Sequence, residues 1–263
     1  SDAVNKKVIE LKIVDDSSSD TKKMAEGSDL IIIATPLSSY DNVISKIKDS
    51  LRSGTILTDV GSVKENIISL VEKSVPQNVS WISSHPIAGT EESGPESGFS
   101  ELFENRWCIL TPSKTAKEKD IKLLETFWNK IGSKVDVMEV KQHDHILSIT
   151  SHIPHLIAYN IVNTSLNIQD EKKSAIVKYS AGGLRDFTRI AASNPIMWRD
   201  IFIQNKKNTS KMIDKFIENL EDLKKAIENE DGKKLEEIFT KTKKIRKEIL
   251  EAGQDIRKPN FGR

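Results

Sequence analysis

A chain of 263 residues with 40 Lys+Arg, 39 Asp+Glu and a formal net charge of +1 has no charge bias to draw it to nucleic acid or to an anionic membrane surface. Its single cysteine excludes an internal disulfide framework and fits a reducing cytoplasm. No apolar run approaches the ~18 residues that span a bilayer, so a soluble, cytoplasmic protein is expected, long enough for two domains of about 100 to 200 residues.

The opening residues Ser1 to Leu11 carry a helical apolar stripe (Val4, Val8, Ile9, Leu11), as though the chain began within a domain. Leu30 to Thr35 lacks polar alternation and reads as a strand covered on both faces. Further strands are expected at Thr55–Val60, Val79–Ser83, Arg106–Thr111 and Lys134–Met138, with helices at Tyr40–Leu51, Val63–Ser74 and Lys117–Ile131. This alternation predicts an α/β domain over residues 1–139 with a largely parallel sheet. Cys108, in the run Trp107-Cys108-Ile109-Leu110, reads as a small buried hydrophobe.

From Val140 the apolar residues recur at three and four, through Ile146, Ile149, Ile153, Leu156, Ile157 and Ile161, so residues 140–252 are expected to be all helical. Amphipathic stretches run from Pro195 to about Asn229 and from Lys233 to about Leu250, parted at Asp231-Gly232. Such stripes usually form the core of one chain, and their length also suits a homodimer of intertwined helices. Residues 253–263 lack periodicity and read as a loose tail.

An α/β sheet places its ligand beyond the carboxyl ends of its strands. Those ends here are Ala34-Thr35-Pro36, Asp59-Val60-Gly61-Ser62 and Ser83-Ser84-His85-Pro86, which direct Thr35, Ser62 and His85 to one crevice. Ser62, with Glu65 three residues on, also reads as the N-cap of the helix expected from Val63. His85 is either a hydrogen-bonded histidine at a strand end or a neutral imidazole that takes a hydroxyl proton as hydride leaves the same carbon. Thr90 and Glu91 follow in the loop that Gly89 opens.

His152 and His155 lie three apart around Pro154. Metal binding is poorly supported, since no third ligand has suggestive spacing, and no metal is expected. Neutral histidines facing the crevice, one of them oriented by Asp186, are the better reading. Arg185 and Arg189 beside Gly182-Gly183 suit a small carboxylic acid, whereas Arg199-Asp200 reads as an internal pair and Met197-Trp198 as core.

Taken together, Asp59-Val60-Gly61-Ser62-Val63-Lys64, His85-Pro86-Ile87-Ala88-Gly89-Thr90-Glu91, Ser151-His152-Ile153-Pro154-His155 and Asp186-Phe187-Thr188-Arg189-Ile190-Ala191, followed by Asn194 to Asp200, resemble the prephenate dehydrogenase family, which includes arogenate and cyclohexadienyl dehydrogenases. The resemblance covers residues 1 to about 250. It implies a Rossmann-type dinucleotide-binding domain followed by a helical substrate-binding and dimerisation domain. It also implies NAD or NADP as cofactor, prephenate or arogenate as substrate, a homodimer and feedback by tyrosine.

By the same resemblance His85 shares the proton of the substrate 4-hydroxyl and Ser62 bonds near it and the nicotinamide. Arg189 holds a substrate carboxylate, His155 sits near the side chain with Asp186 orienting it, His152 and Thr90 line the pocket and Glu91 gates its entrance or tunes its specificity. Thr35, Pro36, Ser62 and Val63 fall to the cofactor. The family also begins with a glycine-rich β-α-β unit and an acidic residue for the ribose, neither of which is in this sequence. Without that first strand, Leu30–Thr35 is expected to expose an apolar edge, leaving these residues poorly stable, weak in NAD binding and inactive alone.

Two other readings remain open from the residues. A 3-hydroxyacid or 6-phosphogluconate type dehydrogenase would join similar halves but use a lysine as acid and base. A non-catalytic helical module could bind tyrosine or prephenate at Arg189.

Overall fold

The computed structural model describes residues 2–90, 92, 94–166 and 178–252; Glu91 and the expected tail 253–263 lie outside the described residues. Five strands form one sheet in the order β1 (Leu30–Ile33), β2 (Ile56–Asp59), β3 (Ser80–Pro86), β4 (Trp107–Pro112), β5 (Lys134–Val137). The pairs β1–β2, β2–β3 and β4–β5 are parallel and β3–β4 is antiparallel. That reversal follows from the link after β3, whose described residues form only two 3-10 turns, Pro95–Ser97 and Ser100–Phe103, with no crossover helix to carry the chain back. Pairing with β4 also lengthens β3 past the expected Ser83, with His85 opposite Ile109 and Pro86 opposite Cys108.

Neighbouring residues along the strands enter different cores, because successive side chains point to opposite faces. Leu57 and Trp81 join one cluster with Tyr40, Ile44 and Ile47 of α3 (Tyr40–Ile47) and Ile67, Ile68 and Val71 of α4 (Glu65–Ser74). Ile56 and Ile82 join the other with Cys108, Leu110 and the α5 residues (Glu118–Lys130) Leu124 and Trp128. Strands β2, β3 and β4 are therefore covered on both faces, whereas the edge strands β1, expected to be covered on both, and β5 are only partly covered. β1 forms one edge and β5 the other, and Ile32 in β1 is 39% exposed. The N-terminal helices are α1 (Asp2–Glu10) and α2 (Thr21–Ala25); α1 buries no residue, so its apolar stripe stays partly or fully exposed.

After the sheet the chain is helical: α6 (Val140–Leu147), a π turn at Ser148–His152, α7 (Ile153–Leu166), α8 (Gly182–Thr188), α9 (Pro195–Gln204), α10 (Lys206–Glu228) and α11 (Gly232–Glu251). Trp198 and Ile201 of α9 enter the core of β2 and α4, and burying each stabilises by about 1.5–3 kcal/mol. The stretch expected to run unbroken from Pro195 breaks at Asn205, whose buried side-chain amide bonds outside its own helix to the Asp144 carbonyl at 2.8 Å. Asp231 caps α11 by accepting the Lys234 N–H at 3.0 Å. By compactness the described residues up to Lys206 form one unit and those from Lys207 a second. Among the described residues no helix is long and apolar enough to cross a membrane.

Candidate active site

The carboxyl ends of the parallel strands β1, β2 and β3 share one edge of the sheet. Thr35 and Pro36 are exposed there, Ser62 is half-buried, and His85 is 8% exposed. Gly61 makes the turn after β2 possible. A Cβ there would meet Leu37 Cδ2 at 2.7 Å, the Tyr40 hydroxyl at 2.8 Å and Asp59 Oδ2 at 2.9 Å, so no other residue fits without displacement.

Beneath that turn Asp59 is wholly buried and fully engaged. It accepts from Tyr40 O–H at 2.9 Å, Gly61 N–H at 3.0 Å, Ser84 N–H at 3.2 Å and the Ser83 hydroxyl. Lys64 Nζ donates to both its oxygens, at 3.0 and 2.9 Å, and to the Ser84 carbonyl at 2.6 Å. Burial lowers the Lys64 pKa against the attraction of Asp59, and burial beside Asp59 holds the Tyr40 hydroxyl far above its usual range. The backbone just before His85 is thus clamped by a matched buried ion pair.

His85 Nδ1 lies 2.9 Å from His143 Nε2, and His143 Nδ1 lies 2.8 Å from Asp144 Oδ1. Asp144 also accepts the backbone N–H groups of Lys64 and Glu65, each at 2.9 Å, at the start of α4. This corrects the capping reading of Ser62: the helix begins at Glu65, and the carboxylate that satisfies its first donors comes from α6. The Ser62 hydroxyl makes no hydrogen bond among the described residues. Burial, then the charges of His143, Lys64 and His152, hold His85 well below its ordinary pKa. It is therefore a neutral imidazole at neutral pH.

A second histidine group lies on the π turn and α7. Pro154 lacks an N–H, and the preceding turn widens so that the Ile153 N–H bonds to the Ser148 carbonyl five residues back. His152 is wholly buried, and its Nδ1 faces the Asn205 amide nitrogen at 3.2 Å. Since an amide nitrogen only donates, His152 Nδ1 accepts and Nε2 carries the proton, buried without a partner among the described residues. Burial lowers its pKa to about 4. His155 stacks on Trp198 with centroids 3.7 Å apart, and its Nδ1 donates to the Ser151 carbonyl at 2.8 Å. Burial, aided by the nearby charge of Arg189, lowers its pKa.

Arg189 is exposed, and its charge acts on His155 as that of His152 acts on His85. The orienting contact expected from Asp186 is made instead by the Ser151 carbonyl and Asn205; Asp186 is exposed on α8 and bonds to neither histidine. Val63 is wholly buried in the core, so only its backbone could meet a cofactor. Thr90 is half-buried and accepts the Glu92 N–H at 3.3 Å. Arg199 pairs with Asp200 at 2.6 and 2.9 Å, and Asp200 accepts the Ser38 N–H at 3.2 Å, which ties α9 to the turn after β1. His143, Asp144 and Asn205 were not expected. The signal for His143 and Asp144 was present in Val140, His143, Asp144 and Leu147, which places polar side chains where a helix at that spacing buries apolar ones; Asn205 had none.

The family model described as prephenate dehydrogenase, nucleotide-binding domain, matches residues 1–137, and that described as prephenate dehydrogenase, dimerization domain, matches residues 139–241. The cyclohexadienyl dehydrogenase of Zymomonas mobilis is 35% identical over 247 residues, covering 94% of this chain and 84% of that protein. The prephenate dehydrogenase of Bacillus subtilis is 28% identical over 239 residues, and this chain spans 64% of its length. The crystal structure of prephenate dehydrogenase from Aquifex aeolicus in complex with hydroxyphenyl propionate and NAD+ matches with a TM-score of 0.88 at 34% identity, covering 95% of this chain and 86% of that one.

Proposed function

Because the chain belongs to the prephenate dehydrogenase family, we propose that it carries out the NAD-dependent oxidative decarboxylation of prephenate to 4-hydroxyphenylpyruvate, with arogenate, which would give tyrosine instead, as the alternative substrate. The observation that carries this reading is His85, a neutral, almost fully buried imidazole at the carboxyl edge of the sheet. The exposed Thr35–Pro36 turn and the unbonded Ser62 hydroxyl at the same edge fit the nicotinamide end of a dinucleotide. NAD supplies the hydride acceptor when bound.

His85 takes the 4-hydroxyl proton as the C4–H bond gives up hydride, which leaves a carbonyl at C4. The bond from the ring to its carboxylate then breaks, its electron pair completes the aromatic ring, and carbon dioxide departs. His85 returns its proton to the ring oxygen, and the product is a phenol. Arg189 beside His155 suits a substrate carboxylate, and the unpartnered Nε2–H of His152 suits an acceptor on the ligand, since an unmade buried hydrogen bond costs about 1–3 kcal/mol. Tyrosine, with its own carboxylate, is the candidate feedback ligand at the same arginine. The assembly in this reading is a homodimer.

Reduced-cofactor formation by the protein, with NAD or NADP and either prephenate or arogenate, tests the proposal. Turnover of one substrate is expected, with His85→Asn losing at least ~100-fold in kcat while cofactor binding survives. No turnover with any pairing would favour a ligand-binding role.

A further inference from the structure

We propose that His143 and Asp144 are positioning residues for His85: they fix its ring with the proton on Nδ1, leave Nε2 as the nitrogen that accepts the substrate proton, and share the positive charge that results. The proposal rests on the reading of His85 as the proton acceptor.

The direction of the hydrogen bonds follows from Asp144. Both of its oxygens already accept backbone N–H groups at the start of α4, and Oδ1 also faces His143 Nδ1. A carboxylate engaged in this way is an acceptor, and the positive end of a ten-residue helix favours its charge. His143 Nδ1 therefore donates, and its Nε2, in a neutral ring, can only accept. The partner of that Nε2 is His85 Nδ1, which must then be the donor. Each nitrogen along this line has one role, set by the start of α4.

Two features point to use in turnover as well as in packing. His143 is wholly buried, so water cannot substitute for it as the partner of His85. When His85 gains a proton on Nε2, its Nδ1–H bond strengthens toward His143, and that ring is hydrogen-bonded to a carboxylate that opposes the effect of burial on its basicity. The titratable and charged groups around His85 are His143 and Asp144 from α6, Asp59 from the end of β2, Lys64 from the turn after it, His152 from the π turn and Cys108 from β4. Lys64 acts against a charged His85, and Asp144 through His143 acts for it.

Long-range nitrogen–proton NMR of the ring nitrogens, with His85→Asn to assign its signals, tests the geometry directly. The unsubstituted protein is expected to show His85 protonated on Nδ1. In kinetics with NAD and substrate, His143→Leu is expected to lower kcat at least ~10-fold with KM changed less than about twofold, and to move the acid limb of the kcat profile; His143→Gln, whose amide oxygen can accept, is expected to restore part of the loss. A proton on Nε2 of His85, or a His143→Leu enzyme with unaltered kcat and pH profile, would overturn the relay. If His85→Asn itself turned over normally, the proton-acceptor reading would fall first, which separates the two failures. Should His143→Leu fail to fold, the NMR assignment on the unsubstituted protein decides alone.

Discussion

A lysine with no exposed surface is stable only where its charge is matched, and Lys64 is matched by both oxygens of Asp59 and by the Ser84 carbonyl. Lys64→Met would leave Asp59 buried without its counter-charge. We expect a loss of about 3–5 kcal/mol, read as a drop of roughly 10 °C in Tm, with partial recovery in the double variant with Asp59→Asn. A Tm unchanged by Lys64→Met would show the pair to be dispensable. In the sequence Lys64 stands inside a recognisable motif, yet nothing there distinguishes a buried lysine from an exposed one. His85 was legible because a histidine between a strand and a Pro-Ile-Ala-Gly turn is unusual. Asp144 was not, because the donors it satisfies lie 79 and 80 residues away.

At the scale of elements, strand positions were legible to within one to three residues, because runs of apolar residues bounded by polar turns are local information. Helix ends were less so: α4 starts at Glu65 because Asp144 caps it there, and α9 stops at Asn205 because its amide is held by α6. Helices α10 and α11 leave an apolar face open, with Leu220 53%, Ile227 63% and Phe239 57% exposed. A face of this kind in a chain matching a dimerization-domain family is expected to be covered by a second copy. Ile227→Asp with Leu220→Asp should convert a dimer to a monomer in light scattering at micromolar concentration; a dimer that survives both changes would place the interface elsewhere.

Across the whole molecule, three buried histidines, His85, His143 and His152, are held neutral by burial. An unfolded chain binds protons at histidines near pH 6.5 while these resist, so the unfolded state holds more protons and stability falls on acidification. For His152, whose pKa is about 4, the loss runs from about pH 6.5 down to 4 and reaches about 3 kcal/mol. The urea midpoint should therefore be lower at pH 5 than at pH 7; equal midpoints would mean that these rings are accessible to protons in the folded state. The alternation of strands and helices revealed the α/β class followed by helices. The reversed β4 and the entry of α9 into the core of β2 and α4 were hidden, since a link of irregular turns carries no direction and an apolar stripe does not name its partner.

The π turn at Ser148–His152 has a consequence in the counting of residues. An α-helix rotates about 100° per residue, so one extra residue in a wider turn swings everything after it by that angle. The buried placement of His152 and the stacking of His155 on Trp198 depend on chain length here as much as on side-chain identity. A relative could change several letters in this segment and keep both rings in place, whereas the deletion of a single residue would turn α7 on its axis and move both away.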